Sequence, residues 1–315
     1  MFAGCKNSII PSDGSVTKIG ERAFYDQRYL KDITIPATIT EIGEDAFYSF
    51  GSNAYSYSQP TYVRIPDLAA WCNIDFANAA SNPFGSSSYY KINFIVNGEN
   101  LTTFSAPEGI TRLKPYVFYN SPFTSADLTG ITEINDYAMA YCGSLTSVIF
   151  DDGLKNIDNG GFCSCKVLPE INLPEGLETI GDSAFYGCNQ LTTLTLPSSV
   201  ISVGKEAFKT CNGFTELEFT HGIEFGDGCF YGCTGLTTLK IAGGTTIGKE
   251  CFYKCSELTD VWFNGPVFAK SAAFYSCSNL TNLYVSSLED WMASDFESYI
   301  PVTNIYFNNE VLTSL

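Results

Sequence analysis

Leu177-Glu-Thr-Ile180-Gly-Asp-Ser-Ala184-Phe185-Tyr-Gly-Cys188-Asn-Gln-Leu191-Thr-Thr-Leu194-Thr-Leu196 is the stretch that decides the fold, and Pro197 closes it. Its phenylalanine belongs to a series, Phe162, Phe185, Phe208, Phe230, Phe252 and Phe274, with steps of 23, 23, 22, 22 and 22 residues. Three residues after each comes a cysteine: Cys165, Cys188, Cys211, Cys233, Cys255 and Cys277. The apolar residue that opens the next segment keeps the same beat at Leu145, Leu168, Leu191, Phe214, Leu236, Leu258 and Leu280. A fixed period in this range around a Leu-x-x-Leu-x-Leu core marks a solenoid, whose coils bury their apolar faces only by stacking on one another.

Within one coil, the apolar alternation from Leu191 to Leu196 reads as a strand, and a proline ends it because proline cannot extend a central ladder. The Ile-Gly pair then leads into a Glu-x-Ala-Phe segment expected to form a short helical turn. Working outward, Ile19-Gly-Glu-Arg-Ala23-Phe24, Leu30-Lys-Asp-Ile33-Thr-Ile35-Pro36 and Ile42-Gly-Glu-Asp-Ala46-Phe47 are further copies. The expectation is one α/β solenoid: a curved array of 22–23-residue coils with a parallel β-sheet on one face and short helical turns on the other. Two inserts break the beat, at 51–100 and 287–311. Each carries a short amphipathic segment with a tryptophan, Asp67-Leu68-Ala-Ala-Trp71 and Ser287-Leu288-Glu-Asp-Trp291, expected to anchor the insert on the solenoid. Asn97-Gly98 marks a hairpin-like return in the first. Phe2-Ala-Gly-Cys5 matches Phe185 to Cys188, and Leu312-Thr-Ser-Leu315 matches Leu101-Thr-Thr-Phe104. The expectation is therefore a single array cut within repeats at both ends, with signal and anchor outside it.

The 34 acidic against 17 basic side chains give a formal charge of −17, a surface that repels phosphate backbones and anionic lipid. Nucleic acid is not an expected partner, and no apolar run is long enough to span a bilayer.

The composite Leu-x-x-Ile-x-Leu-Pro, Leu-x-x-Ile-Gly, Ala-Phe-x-x-Cys resembles the BspA-like leucine-rich repeat family of bacterial surface proteins. The Asp-Leu-x-x-Trp insert with its Asn-Gly-Glu return is similar to inserts in gut-bacterial members. The resemblance covers nearly the whole chain and implies display at the cell surface or secretion. In some members it also implies adhesion to host extracellular proteins or to other cells. It brings no binding residues that could be carried over.

The chemistry-bearing residues are read against the repeat. The cysteine column, with Cys229 and Cys251 in the small-residue slot of Ala184 and Ala207, reads as buried thiols packing as small hydrophobes; disulfides and a metal site are the alternatives. Cys163, in a position where other coils carry tyrosine, and Cys72, in an insert, are the thiols expected to react. His221 is the single histidine and sits in a turn position, without the nucleophile and orienting carboxylate that a triad needs. Asp151-Asp152 lacks the ligand spacing of a calcium loop. No catalytic residue, cofactor or metal follows from the sequence.

What remains is the sheet face, expected to be concave. The period of two turns one column outward: Asp127, Ile149, Asn172, Thr195, Glu218, Lys240, Trp262, Tyr284. A second runs Ser125, Ser147, Glu170, Thr193, Glu216, Thr238, Asp260, Asn282. Trp262 and Tyr284, flanked by Asp260 and Asn282, with Lys240 and Glu218 on the neighbouring strands, form the candidate ligand surface, because polar-tipped aromatics are enriched in binding hot spots. Alternatively the second insert covers them. A further column, Tyr25, Tyr48, Tyr119, Tyr186, Tyr231, Tyr253 and Tyr275, is expected to stack between coils or to form an outer sticky stripe. The leading functional reading is a non-enzymatic module binding a host or bacterial surface protein. A glycan surface at Trp262 and Tyr284, or a stalk presenting another domain, are the alternatives.

Overall fold

The computed structural model describes residues 9–52, 60–85, 92–307 and 310–311. The match at Phe2–Cys5, residues 53–59 of the first insert, and Leu312–Leu315 lie outside the described residues. The described residues form a β-solenoid of about 13 turns. Strands of the long face stack in parallel and in register, one coil after another. The rungs Glu216–Phe219, Thr238–Ala242, Asp260–Asn264, Asn282–Val285 and Asn304–Phe307 make the best-developed sheet. The coils at 170–172 and 193–195 carry no ladder strand, yet Leu191, Leu194 and Leu196 stay buried and Thr193 and Thr195 exposed. Pro169 contributes to this gap, since it has no N–H to give the preceding rung.

The opposite side departs from expectation. Instead of short helical turns, it carries a second parallel ladder of two- and three-residue strands at the Ile-Gly positions. Nine of these run unbroken from Arg112–Leu113 to Asp295–Phe296. The Glu-x-Ala-Phe segments are turns, and their hydrogen bonds explain why. In the 177–199 coil the N–H groups of Tyr186 and Cys188 bond three residues back, to Ser183 and Phe185. Those of Ser183, Phe185 and Gly187 cross to Lys205, Ala207 and Lys209 of the next coil, each at 2.8 Å. In a helix, N–H groups past the first turn would instead bond four residues back within the same segment. The alternation also needs left-handed residues four apart, such as Ser183 (φ 55°) and Gly187 (φ 71°), or Glu206 (φ 55°) and Thr210 (φ 59°). Most are not glycine, so the cross-coil bonds hold strained backbone in place.

Thr210 is the costliest of these, being β-branched at positive φ between coils that use Gly187 and Gly232. Thr210→Gly is expected to stabilise the protein by about 0.5–1 kcal/mol, the strain relief exceeding the loop entropy of glycine. Urea unfolding measures it, and a lowered midpoint would contradict the strain assignment.

Inside, the phenylalanine column forms a stack. Phe162, Phe185, Phe208, Phe230, Phe252 and Phe274 meet at centroid distances of 5.2–5.6 Å with planes within 8° of parallel. Beside it runs a thiol ladder. Each Sγ–H of Cys142, Cys165, Cys188, Cys211, Cys233, Cys255 and Cys277 donates to the carbonyl of the column residue one coil back, at 3.1–3.4 Å. A small apolar side chain with a weak donor fits the space and adds a second bond to carbonyls such as Phe185's, which already accepts the Cys188 N–H. The cysteines described are free and buried.

Two expectations are corrected here. Cys163 and Cys72 are buried, not reactive. Cys72 ends the helical segment of the first insert, and burial pushes its thiol up to about 12. Cys163 is buried beside the Ser164 hydroxyl, 3.8 Å from its Sγ, and burial raises its pKa as well. Because the thiolate is the reactive form, native protein at neutral pH should show labelling of these thiols only on the timescale of structural opening. A fast phase assigned to Cys72 or Cys163 by peptide mapping would contradict this.

The inserts are enlarged coils rather than excursions. Thr61–Ile65 and Ile92–Val96 continue the long sheet, and Asp75–Phe76 joins the second ladder. Between them lies helix α1 (Leu68–Cys72), capped by the Asp67 carboxylate. Asn97 (φ 50°) and Gly98 (φ 86°) make the tight turn to the antiparallel return Glu99–Asn100. The second insert repeats the plan with helix α2 (Leu288–Ala293), Asp295–Phe296, Asn304–Phe307 and the return Glu310–Val311.

Candidate functional site

The strand register brings Trp262, Tyr284 and Tyr306 onto adjacent rungs. Trp262 and Tyr284 stack at 4.4 Å with planes 6° apart, and Tyr284 and Tyr306 at 4.6 Å and 14°. These distances match the strand spacing of about 4.8 Å, so the rings stand upright along the sheet axis with their faces against one another. All three are half-buried. Their edges and polar tips, more than their faces, are what the ladder offers to solvent.

A polar ladder runs alongside. Asn282 Nδ2 donates to Asp260 Oδ1 at 2.8 Å, and Asn304 Nδ2 donates to Asn282 Oδ1 at 2.9 Å. The Tyr284 hydroxyl also donates to Asp260 Oδ1, at 3.3 Å. Partial burial first, and the Asp260 charge second, raise the Tyr284 phenol above its ordinary value. Thr259 Oγ1 holds the second Asp260 oxygen. The side chains are thus fixed before any partner arrives, which lowers the ordering cost of binding.

Of the six residues singled out from sequence, Trp262, Tyr284, Asp260 and Asn282 come together in this patch. Lys240 is in register beside Trp262, but its ammonium turns the other way, to Glu216 Oε1 at 2.7 Å and Glu218 Oε2 at 3.4 Å. The Glu216 hydrogen bond is the largest cause holding the lysine above its ordinary pKa. Lys240 and Glu218 therefore form an adjoining charged cluster rather than part of the aromatic ladder. Tyr306 and Asn304 escaped the sequence reading. Their signal was the 22-residue recurrence Asp260-Val-Trp262, Asn282-Leu-Tyr284, Asn304-Ile-Tyr306, hidden because this stretch fell inside the second insert. That insert adds a rung to the ladder, and its Trp291 packs on Phe296.

All members of the two outward columns are exposed or half-exposed, from Asp127 to Tyr284 and from Ser125 to Asn282. Ile149 is the one exposed aliphatic among them. On the far side, Tyr25 stacks on Tyr48, and Tyr231, Tyr253 and Tyr275 stack in series. Lys209 and Lys254 lie over rings of the same column. Stacking between coils is the role these tyrosines take. His221 is half-buried, with Nε2 donating to the Val200 carbonyl at 2.9 Å. Among the described residues no three His, Cys, Asp or Glu side chains gather to hold a metal, and no helix is long and apolar enough to cross a membrane.

A family model described as BspA type leucine-rich repeat region, in six copies, matches residues 1–125, 90–215, 132–259 and 202–314. Among solved structures, a leucine-rich repeat protein from Bacteroides ovatus ATCC 8483 is 23% identical, with a TM-score of 0.54 over 95% of this chain and 73% of its own. One from Eubacterium ventriosum ATCC 27560 is 19% identical, with a TM-score of 0.56 over 92% of this chain and 78% of its own. At these identities the likeness is one of fold. None of the curated proteins matches the chain.

Proposed function

The chain belongs to the BspA-type leucine-rich repeat family, and on that premise we propose that it is a non-catalytic binding module, at the cell surface or secreted, which engages a host extracellular protein or another bacterial surface protein through its strand face. The observation that carries this reading is the pre-ordered ladder Trp262–Tyr284–Tyr306 with its hydrogen-bonded flank Asp260–Asn282–Asn304. Half-buried aromatics with polar tips, rigid and surrounded by short polar residues, have the composition of an interface centre with its rim. The neighbouring Glu216–Lys240–Glu218 cluster adds charge that would orient a partner. The lone histidine ring is hydrogen-bonded to the Val200 carbonyl of the preceding coil.

A glycan surface is the second reading, favoured by the same aromatics. Sugar rings stack on open aromatic faces, however, and Tyr284 has both of its faces covered within the ladder. The outer face of Trp262, on the Lys240 side, is where a sugar would sit.

Immobilised matrix proteins and a glycan array, probed with the protein at low and high salt, separate the readings. A protein partner engaged through the charged rim should bind more weakly as salt shortens the Debye length from about 30 Å at 0.01 M to about 8 Å at physiological strength. Sugar stacking should change little. Binding of neither class would favour a stalk that presents another domain.

A further inference from the structure

The strand face has two places where an aromatic ring stands beside a carboxylate, and the protein fills one of them itself. On the early rungs the register sets Asp32 beside Tyr62 and Thr34 beside Arg64. The Arg64 guanidinium lies over the Tyr62 ring, 5.1 Å from its centre. It also forks onto Asp32, Nε donating to Oδ1 and Nη2 donating to Oδ2, both at 2.8 Å. A planar guanidinium can stack and pair at once in this way, whereas a compact ammonium cannot.

The Trp262 ladder offers the same kinds of group at equivalent coil positions. Asp260 follows Leu258 by two residues as Asp32 follows Leu30, and its own rung and the next supply the rings of Trp262 and Tyr284. No internal arginine serves this place, since none occurs between Leu113 and Leu315. Tyr284 covers one face of Trp262 at 4.4 Å, and the other face is turned along the sheet towards the Lys240 rung. The Lys240 ammonium turns away from that face to Glu216 at 2.7 Å and to Glu218, held more loosely, at 3.4 Å. Both glutamates remain more than half exposed. The surrounding charge also has one sign. The two outward columns from Ser125 to Tyr284 carry five carboxylates, those of Asp127, Glu170, Glu216, Glu218 and Asp260, against the one ammonium of Lys240.

We propose, on the premise that the ladder is a protein-binding site, that its partner is a protein segment presenting an arginine. The guanidinium stacks on the outer face of Trp262 and takes Glu218, as Arg64 stacks on Tyr62 and takes Asp32. Lys240 is then the resident counter-ion. It keeps Glu216 occupied and tempers the pull of the acidic face on every incoming cation, so that stacking on Trp262 decides which one stays.

The test is an array of extended peptides in pairs, one with a central arginine and its mate with neutral, near-isosteric citrulline. The full chain probes it, beside the Trp262→Ala/Tyr284→Ala, Lys240→Met and Glu218→Gln variants, each confirmed folded by circular dichroism. Among peptides whose binding needs the aromatic ladder, the arginine member should bind about tenfold tighter than its mate, the scale of a partly desolvated cation over an indole. Lys240→Met should tighten those arginine peptides about threefold and Glu218→Gln should weaken them about as much, the range of an exposed ion pair. Ladder-dependent peptides that are indifferent to the exchange, or that bind Lys240→Met more weakly, overturn the inference and leave the binding reading standing. An array without any ladder-dependent peptide counts against the binding reading itself, and the inference falls with it.

Discussion

Phe208→Ala is expected to destabilise the protein by about 3–5 kcal/mol, the cost of removing a fully buried aromatic from a packed site. Phe208 is fully buried, stacked between Phe185 at 5.2 Å and Phe230 at 5.3 Å, with the edge of Phe214 at 6.1 Å. Its removal leaves a cavity that backbone tied across coils cannot close: the Phe208 N–H donates to the Cys229 carbonyl and its own carbonyl accepts the Cys233 thiol, both of the following coil, while the Ala207 carbonyl accepts the Phe185 N–H of the preceding one. Solenoid stability is approximately a sum of coil and interface terms. The loss therefore falls on two interfaces at once, and urea unfolding is expected to split into two transitions as the halves uncouple. A loss under about 1 kcal/mol with a single transition would contradict the view that this stack organises the core.

Tyr284→Ala is expected to weaken partner binding by about thirtyfold or more, the loss of roughly 2 kcal/mol typical of an interface hot spot. Tyr284 is the middle rung. Its loss removes both ring contacts of the ladder and the hydroxyl bond to Asp260. Trp262 and Tyr306 would then lose the neighbour that holds each upright. The stability cost should be modest, about 1–2 kcal/mol for two aromatic contacts at a half-exposed site. Surface plasmon resonance with the partner found by the matrix panel measures the effect. Thr195→Ala, on the same outward column but outside the ladder, should leave affinity unchanged.

The period and the inside-outside alternation were legible because each is repeated many times. Phe162 to Phe274, the cysteine column and both outward columns lie where the sequence pattern puts them. The turns were not. Ala184, Glu206 and Ala207 are good helix formers, and the left-handed positions fall on Ser183, Glu206 and Ala272 rather than on a uniform glycine that would announce them. What overrides propensity there is a hydrogen bond to the next coil, a partner some twenty-two residues away. Cys163 differs for a related reason: the tyrosines of its slot are half-exposed or exposed, whereas its shorter side chain lies buried. In the site, Trp262 and Tyr284 stand out as aromatics in a polar column, whereas Tyr306 keeps the 22-residue step but lies in the stretch that reads as the second insert. Which way Lys240 points could not be read from spacing, because it depends on the competition between the Trp262 ring and two carboxylates.

The central claim is that the strand face binds through its aromatic ladder. The most direct measurement is binding of the wild-type protein and of a Trp262→Ala/Tyr284→Ala double variant to the same immobilised panel, with circular dichroism confirming that both are folded. The account predicts that the wild type binds a protein partner in a salt-sensitive way and that the folded variant loses that binding. Equal binding by both would contradict it and move the site away from the ladder.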